Sequence, residues 1–171
     1  MRYIILLPLL ISLAFGDILS IDSFQADFTQ SITNDKGNRL EYKGHVKAAK
    51  PQYALWSYTQ PVTKEIFINS QQAIIIEPEI EQVLIKKINS NFDFFALIKN
   101  AVEVDKDIYK ATFQEVIYSI RIKASKIESI SYKNELENRV VIIFSNQIQN
   151  KNIDTKVFTP NIPTGYDIIR G

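Results

Sequence analysis

The chain has 171 residues, 46% of them hydrophobic, with 20 basic and 19 acidic side chains and no cysteine. This length and composition exclude a disordered chain and favour one globular domain with a sizeable core. The near balance of charge gives no reason to expect nucleic acid or an anionic membrane surface as a partner. Because no disulfide can form, packing of the core must stabilise the fold.

The first sixteen residues have the layout of a secretory signal peptide. Basic Arg2 precedes an apolar run, and the small residues Ala14 and Gly16 close the segment. The run is shorter than the about 20 residues that span a bilayer, which argues against a membrane anchor. We therefore expect cleavage after Gly16, export of the mature chain, and a single domain formed by residues 17–171.

Two elements are predicted before the first turn of the mature chain. Residues 17–24 have apolar side chains at helical spacing, with Asp17 in the first turn. The spacing then changes to alternation, which predicts a strand ending near Thr33 and, after the turn NDKGN, a second strand over residues 39–48. The chain thus begins with a helix and a hairpin.

The remainder reads mainly as strands. Residues 91–101 are the exception, because their apolar side chains follow a helical stripe and Asn91 can cap the first turn. Eight further strands are predicted, at residues 52–59, 64–70, 72–77, 81–88, 108–114, 116–123, 126–133 and 139–147. One sheet of about ten strands with two helices accounts for the mature chain.

The segment PQYALWSYTQP, residues 51–61, is apolar on both faces of its predicted strand. Ala54, Trp56 and Tyr58 share one face, and Tyr53 and Leu55 share the other. A sheet of this size must curl, and a curled sheet encloses a hollow. We expect one face to line this hollow and the other to pack on a helix or across the sheet; the alternative is that both faces are simply core.

Residue types that carry catalysis are sparse. The only histidine, His45, falls on the outward, charged face of its strand, and the three glutamates around Pro78 are typical of a solvated edge. Asp105 and Asp107 have no further ligands at calcium-loop spacing. Thiol chemistry, soft-metal sites and a glycine-rich phosphate loop are also missing from the sequence. We expect a protein that is not an enzyme and uses neither a cofactor nor a metal.

Five segments follow one another in a recognisable order. They are SFQADFTQ (23–30), AKPQYALWSYTQP (49–61), EPEIEQV (77–83), FFALIKN (94–100) and KVFTPNIPTGYDII (156–169). Together they resemble the LolA family of periplasmic lipoprotein carriers, and the resemblance runs over residues 17–169. It implies an unclosed, half β-barrel of about eleven antiparallel strands, with helices covering the open end.

The resemblance also implies a function. A member of this family binds the acyl chains of lipoproteins that an inner-membrane ABC transporter of the LolCDE type releases. It carries them through the periplasm to an outer-membrane acceptor, of the LolB type where one exists. We expect a monomer with acylated lipoproteins as cargo; the alternative is a periplasmic half-barrel module that binds a free lipid or a protein segment.

Candidate site residues follow from strand alternation, helical spacing and the resemblance. We expect the acyl chains to contact eight residues: Phe24, Phe28, Ala54, Trp56, Tyr58, Phe94, Leu97 and Ile98. Lys50 stands where the family usually has an arginine, and the resemblance implies that it latches a lid by binding carbonyls at the end of a helix. Lysine offers a point charge instead of a planar fork, so we expect a weaker latch.

Overall fold

The computed structural model describes residues 20–88 and 94–171, so the predicted signal peptide lies outside the described residues. These residues form one open sheet of twelve strands, one α-helix, α1 (Phe94–Lys99), and two short 3-10 helices, Pro78–Ile80 and Thr155–Phe158. The strands are β1 (Ser23–Thr33), β2 (Arg39–Ala49), β3 (Tyr53–Gln60), β4 (Lys64–Ile68), β5 (Gln72–Glu77), β6 (Gln82–Lys87), β7 (Val102–Asp105), β8 (Ile108–Phe113), β9 (Val116–Lys123), β10 (Lys126–Lys133), β11 (Arg139–Gln149) and β12 (Asp167–Arg170).

The strand order across the sheet is β12-β6-β5-β4-β3-β2-β1-β11-β10-β9-β8-β7. Most neighbours follow one another in the chain as antiparallel hairpins, whereas β1 pairs with the distant β11, with Phe28 opposite Phe144. The C-terminal strand β12 returns to pair in parallel with β6, with Ile169 opposite Leu84. The order leaves β12 and β7 at the two edges of the described sheet, which is therefore not closed.

Most of the predicted elements are confirmed. The strands predicted at 72–77, 116–123 and 126–133 match β5, β9 and β10 residue for residue. The helix predicted at 91–101 is found as α1 over Phe94–Lys99, and its predicted cap, Asn91, lies outside the described residues. In the part of the chain that the structure describes, no helix is long and apolar enough to cross a membrane.

Two expectations need correction. The helix predicted at 17–24 is wrong in its described part, because Ser23 and Phe24 begin β1 and Phe24 pairs with Ala48 of β2. The strands β7 and β12 were not predicted, so the sheet has twelve strands where the residue pattern predicted about ten. The expected mainly β fold with an open sheet of about eleven strands is confirmed, and its pairs are antiparallel except that β12 runs parallel to β6.

The sheet carries two separate hydrophobic clusters. The first lies on the side where α1 packs, which we call the inner face. It consists of Ile21, Phe24, Ala26, Phe28, Val46, Ala48, Phe95, Ile98, Ile120, Ile122, Ile127, Ile130, Val140, Ile142 and Phe144. The second cluster contains Phe67, Ile74, Ile76 and Val83, with Leu55, Ile85, Ile162 and Tyr166 packed against it.

Strand β3 connects the two clusters. Its side chains Ala54, Trp56 and Tyr58 pack on the first cluster, whereas Leu55 packs on the second. At the start of the strand, Tyr53 stacks on Phe158 of the C-terminal segment, with ring centroids 5.5 Å apart and planes 17° from parallel. The second apolar face of PQYALWSYTQP therefore meets the C-terminal segment and the second cluster, and neither face is solvated as in an ordinary antiparallel strand.

The backbones of β2 and β3 come unusually close at Gly44. A Cβ atom at this position would lie 2.0 Å from the carbonyl oxygen of Ser57 and 3.0 Å from the ring of Phe28. The β2–β3 register also shifts between Lys43 and Gly44. Glycine is required here because any side chain would push the two strands apart.

Candidate functional site

An apolar hollow lies between α1 and the inner face of the sheet. Its volume is about 200 Å³, and seven of its fifteen lining residues are aromatic. The lining residues are Phe24, Val46, Ala48, Gln52, Tyr53, Ala54, Trp56, Ile68, Phe94, Phe95, Leu97, Ile130, Tyr132, Ile142 and Phe144. An enclosed wall of this composition is suited to hydrocarbon, because it offers large apolar area with few polar groups.

Strand pairing builds the floor of the hollow. One row of directly opposite residues crosses the sheet from β1 to β4. It consists of Phe24, Ala48, Ala54 and Ile68. Directly opposite residues point to the same face, so the whole row faces α1. The two alanines make the middle of this row shallow, which leaves open space below the helix.

Aromatic rings line the wall opposite these alanines. Phe24 meets Phe144 edge-on at 5.2 Å between ring centroids, and it lies 6.0 Å from Phe94 of α1. Trp56 lies 6.5 Å from Phe144 on the other side. Tilted and edge-on rings of this kind give the wall a large aromatic surface.

A group of tyrosines forms one end of the inner face. The Tyr58 hydroxyl donates a hydrogen bond to the Gln30 side-chain oxygen at 2.9 Å, and the Lys64 ammonium lies 4.6 Å from the centre of the Tyr58 ring. Burial raises the pKa of Tyr58 to about 12, and the neighbouring Tyr132 and Tyr42 contribute. Burial also raises the pKa of Tyr132. Both phenols are uncharged at neutral pH, as tyrosines ordinarily are, and of the two Tyr132 lines the hollow.

Seven of the eight predicted acyl-contact residues belong to the first cluster or pack against it, and the eighth, Leu97, lines the hollow; not all of the eight reach the hollow. Five of them line it: Phe24, Ala54, Trp56, Phe94 and Leu97. The other three are Phe28, Tyr58 and Ile98, and they pack within the first cluster. Phe28 meets Trp56 edge-on at 5.0 Å and so supports the wall from behind.

Sequence reasoning missed several lining residues. Val46 and Ala48 lie in the strand predicted at 39–48 but were not assigned to the site, and Ile130, Ile142 and Phe144 were not assigned to it either. The first two could have been found from their alternation with charged neighbours. The other three come from β10 and β11, and only the pairing of β1 with β11 brings them to the hollow.

Lys50 lies at the end of β2, beside the N-terminal side of β1. Its ammonium forms an ion pair with the carboxylate of Asp22, and its backbone N–H donates to the Asp22 carbonyl at 2.9 Å. Within the described residues this ammonium has a carboxylate partner and not the helix-end carbonyls that the resemblance implies. A latching role for Lys50 stays a prediction.

The outward-facing polar groups form small surface networks. The His45 ring nitrogen Nδ1 is hydrogen-bonded to the Asp27 carboxylate, and the Asn146 amide donates to its other oxygen at 2.6 Å. These bonds, first that from Asn146 and then that to His45, lower the pKa of Asp27. Among the described residues, no group of His, Asp and Glu side chains could hold a metal ion.

Comparison with known proteins agrees with this architecture. Residues 20–161 match the family model described as outer membrane lipoprotein carrier protein LolA. An outer-membrane lipoprotein carrier protein of Campylobacter jejuni is 40% identical over 152 residues, which are 89% of each chain. One of Wolinella succinogenes is 35% identical over 161 residues, which are 93% of each chain.

A solved structure supports the fold as well. A LolA superfamily protein from Nitrosomonas europaea superposes with a TM-score of 0.54 at 12% identity, covering 82% of this chain and 91% of that one. At this identity the similarity concerns the fold alone. The family match and the two sequence relatives carry the assignment further: the chain belongs to the LolA family of outer membrane lipoprotein carrier proteins.

Proposed function

We propose that this protein is a carrier that binds the acyl chains of lipoproteins in its hollow and delivers them towards the outer membrane. The observation that carries the proposal is the uncharged aromatic hollow of about 200 Å³ between α1 and the sheet. Membership of the LolA family, and the names of the Campylobacter and Wolinella relatives as outer-membrane lipoprotein carrier proteins, support the same function.

The energetics of a carrier fit such a wall. Membranes hold an acyl chain by about 0.8 kcal/mol per buried CH₂, so a carrier must supply comparable apolar contact. A wall of tilted rings supplies area without an exact fit, which keeps the chain bound and still allows it to leave. Binding and transfer are the whole activity proposed, and no catalytic step is needed.

Membership of the family supports a route for the cargo. The protein is exported to the periplasm after cleavage behind Gly16, receives lipoproteins from an inner-membrane transporter of the LolCDE type and passes them to an acceptor, of the LolB type where one exists. N-terminal sequencing of the mature protein from its host should begin at Asp17. A periplasmic chain that retains Met1 would contradict the cleavage site.

Trp56→Asp tests the proposed site directly. Trp56 lines the hollow and is only half-buried, so the carboxylate would stand on an apolar wall without a partner. We expect the variant to fold, as judged by circular dichroism, and to lose at least about tenfold in affinity for a palmitoylated lipopeptide. Ser57→Asp is the matched control, because the neighbouring side chain points to the other face.

Two outcomes would contradict this proposal. If Trp56→Asp binds the lipopeptide as the wild type does, the hollow is not the acyl site. If mass spectrometry of protein isolated from its host finds free lipid or an unacylated protein segment instead of acylated lipoprotein, the protein is a lipid- or peptide-binding module with the carrier fold.

A further inference from the structure

A row of apolar side chains leads out of the hollow along the inner face. Trp56 of β3 is directly opposite Ile66 of β4, and Ile66 is opposite Ile75 of β5. Ile75 is opposite Leu84 of β6, which is opposite Ile169 of the edge strand β12. Since opposite residues share a face, this row starts at Trp56 in the lining of the hollow and extends along the inner face to the edge of the sheet. We call Ile66, Ile75, Leu84 and Ile169 the apolar lane.

The side chains of the lane are less buried than those on the outer face of the same strands. Ile66, Ile75 and Leu84 are only half-buried, and Ile169 is 46% exposed. Within the described residues, neither hydrophobic cluster includes any of the four. Their chain neighbours on the other face, such as Ile74 and Val83, are buried in the second cluster and hold these strands together.

The lane is narrow because polar residues flank it. On one side, the neighbouring positions of the same strands are Lys64, Glu77, Gln82 and Asp167; on the other, they are Ile68, Ala73 and Lys86. Ile68 and Ala73 widen the apolar surface at β4 and β5, and beyond β5 it is about one side chain wide. A protein interface needs a broad apolar core, whereas a strip of this width matches a single hydrocarbon chain.

The length of the row and the volume of the hollow each fit one acyl chain. Four strand spacings of about 4.8 Å make the row from Trp56 to Ile169 about 19 Å long. At about 1.3 Å per methylene, from C–C bonds of about 1.5 Å, this accommodates an extended chain of roughly fifteen methylenes. The hollow itself has room for on the order of fifteen water-sized groups, at about 10–15 Å³ for each, which is one such chain. A lipoprotein with more than one acyl chain needs apolar surface elsewhere.

We propose that the apolar lane binds a second acyl chain of the same lipoprotein while the first chain occupies the hollow. The two surfaces meet at Trp56 and Ile68, so two chains that leave one glyceryl group can diverge from this point. The inference rests on the proposed carrier function and adds how a multiply acylated cargo is held. It also assigns a role to β12, whose Ile169 completes the lane.

The experiment compares two probes: a lipopeptide with one palmitoyl chain and the same peptide with two. Binding is followed by the fluorescence of Trp56, the only tryptophan of the chain. The wild type should bind the two-chain lipopeptide more tightly. Ile75→Asp should weaken that binding about tenfold, the effect of losing contact with roughly two methylenes, and leave the one-chain affinity within about twofold.

A matched pair on β12 keeps the test valid if Ile75→Asp fails to fold. Ile169 and Ile168 are adjacent and similarly exposed, at 46% and 43%, but they lie on opposite faces. Ile169→Asp should weaken two-chain binding about threefold, less than Ile75→Asp because it stands at the end of the lane. Ile168→Asp should leave it unchanged.

Each contrary result has a distinct meaning. Equal losses for both lipopeptides, equal effects of Ile168→Asp and Ile169→Asp, or no effect of any variant would overturn the lane while leaving the hollow in place. A lane variant that only abolished self-association in ultracentrifugation would assign the surface to a second copy and overturn the proposal. If the wild type bound neither lipopeptide, the carrier function itself would fail.

Discussion

The two halves of the sheet bury opposite faces. In β1, β2 and β9 to β11 the inner side chains form the core, with Phe24 and Phe28 nearly inaccessible beneath α1. In β4, β5 and β6 the outer side chains are buried instead, with Phe67 and Val83 under the C-terminal segment. The change of side occurs at β3. A sheet that moves its core from one face to the other leaves part of its inner face available for a ligand.

Different covering elements explain the difference. In the first half α1 supplies Phe95 and Ile98 to the core, and in the second half the C-terminal segment supplies Ile162 and Tyr166. Each cover protects only its own half. The comparison therefore predicts that the halves respond differently to substitution, and the following experiments test this from the largest effect to the smallest.

Phe24→Ala should produce the largest loss of stability. Phe24 is 1% exposed and contacts both Phe94 and Phe144, so its removal leaves a cavity in the first cluster. We expect the free energy of unfolding to fall by about 3–5 kcal/mol, measured by denaturant titration. A loss below about 1 kcal/mol would mean that the first half does not depend on this cluster.

Phe158→Ala is the counterpart in the second half. Its ring stacks on Tyr53 from the C-terminal segment, so its loss should release that segment locally while α1 and the lining residues other than Tyr53 stay in place. We expect faster proteolysis of residues 150–171 and unchanged binding of a one-chain lipopeptide. Loss of one-chain binding would show that the two halves are not independent.

Gly44→Ala should disturb the boundary between the halves. The new Cβ would clash with the Ser57 carbonyl oxygen at 2.0 Å, and backbone atoms cannot rotate away. We expect a loss of about 3 kcal/mol, the upper end for overpacking, in the same denaturant titration. Gly37→Ala is the control: nothing lies within 4 Å there, and only its positive φ of 81° adds a cost of about 1 kcal/mol. Equal losses would refute close contact at Gly44.

Tyr58 gives the first half a distinctive dependence on alkaline pH. Its folded-state pKa is raised to about 12 from the usual 10.0, so the neutral phenol stabilises the fold. This contribution, about 2 kcal/mol, is fully present below pH 10 and is lost as the pH rises towards 12. Tyr58→Phe should flatten the decline of stability over this window. An unchanged decline would assign the alkaline sensitivity to other groups.

Lys50→Leu should change stability least, because the ion pair with Asp22 is largely exposed and contributes less than about 1 kcal/mol. Its proposed effect is on transfer: without the latch, the empty closed state loses its advantage and handover to outer-membrane vesicles slows while uptake persists. Asp22→Ala separates two mechanisms. If only Lys50→Leu slows handover, the latch involves another partner; handover at the wild-type rate in both variants would end the latch hypothesis.

Local pattern was enough to find most of the sheet. Alternation located strands such as β5, β9 and β10, because half-buried strands must alternate or be apolar throughout. It could not find β7 and β12, which have only four residues each, all of them exposed. The N-terminal helix prediction failed at Phe24, where pairing with β2 and β11 outweighs the helical spacing.

The site was accessible from the sequence only in part. Trp56, Ala54 and Phe94 could be assigned because strand parity and helical spacing are local properties. Phe144 could not, because it reaches the hollow through the pairing of β1 with β11, which are far apart in the chain. The lane could not be predicted from local pattern either, because its residues come together only through the pairing register of five strands.

The edges of the open sheet have a consequence for how the protein behaves in a crowded compartment. An unpaired strand edge is a template for joining another chain, and a sheet that carries apolar surface is especially exposed to this hazard. Here the edge strand β7 is short, its register with β8 is irregular between Glu103 and Asp105, and two carboxylates lie along it. Like charges and an irregular register at this edge disfavour its pairing with the same edge of another copy. At β7 the open sheet therefore carries features that oppose the addition of strands from neighbouring copies.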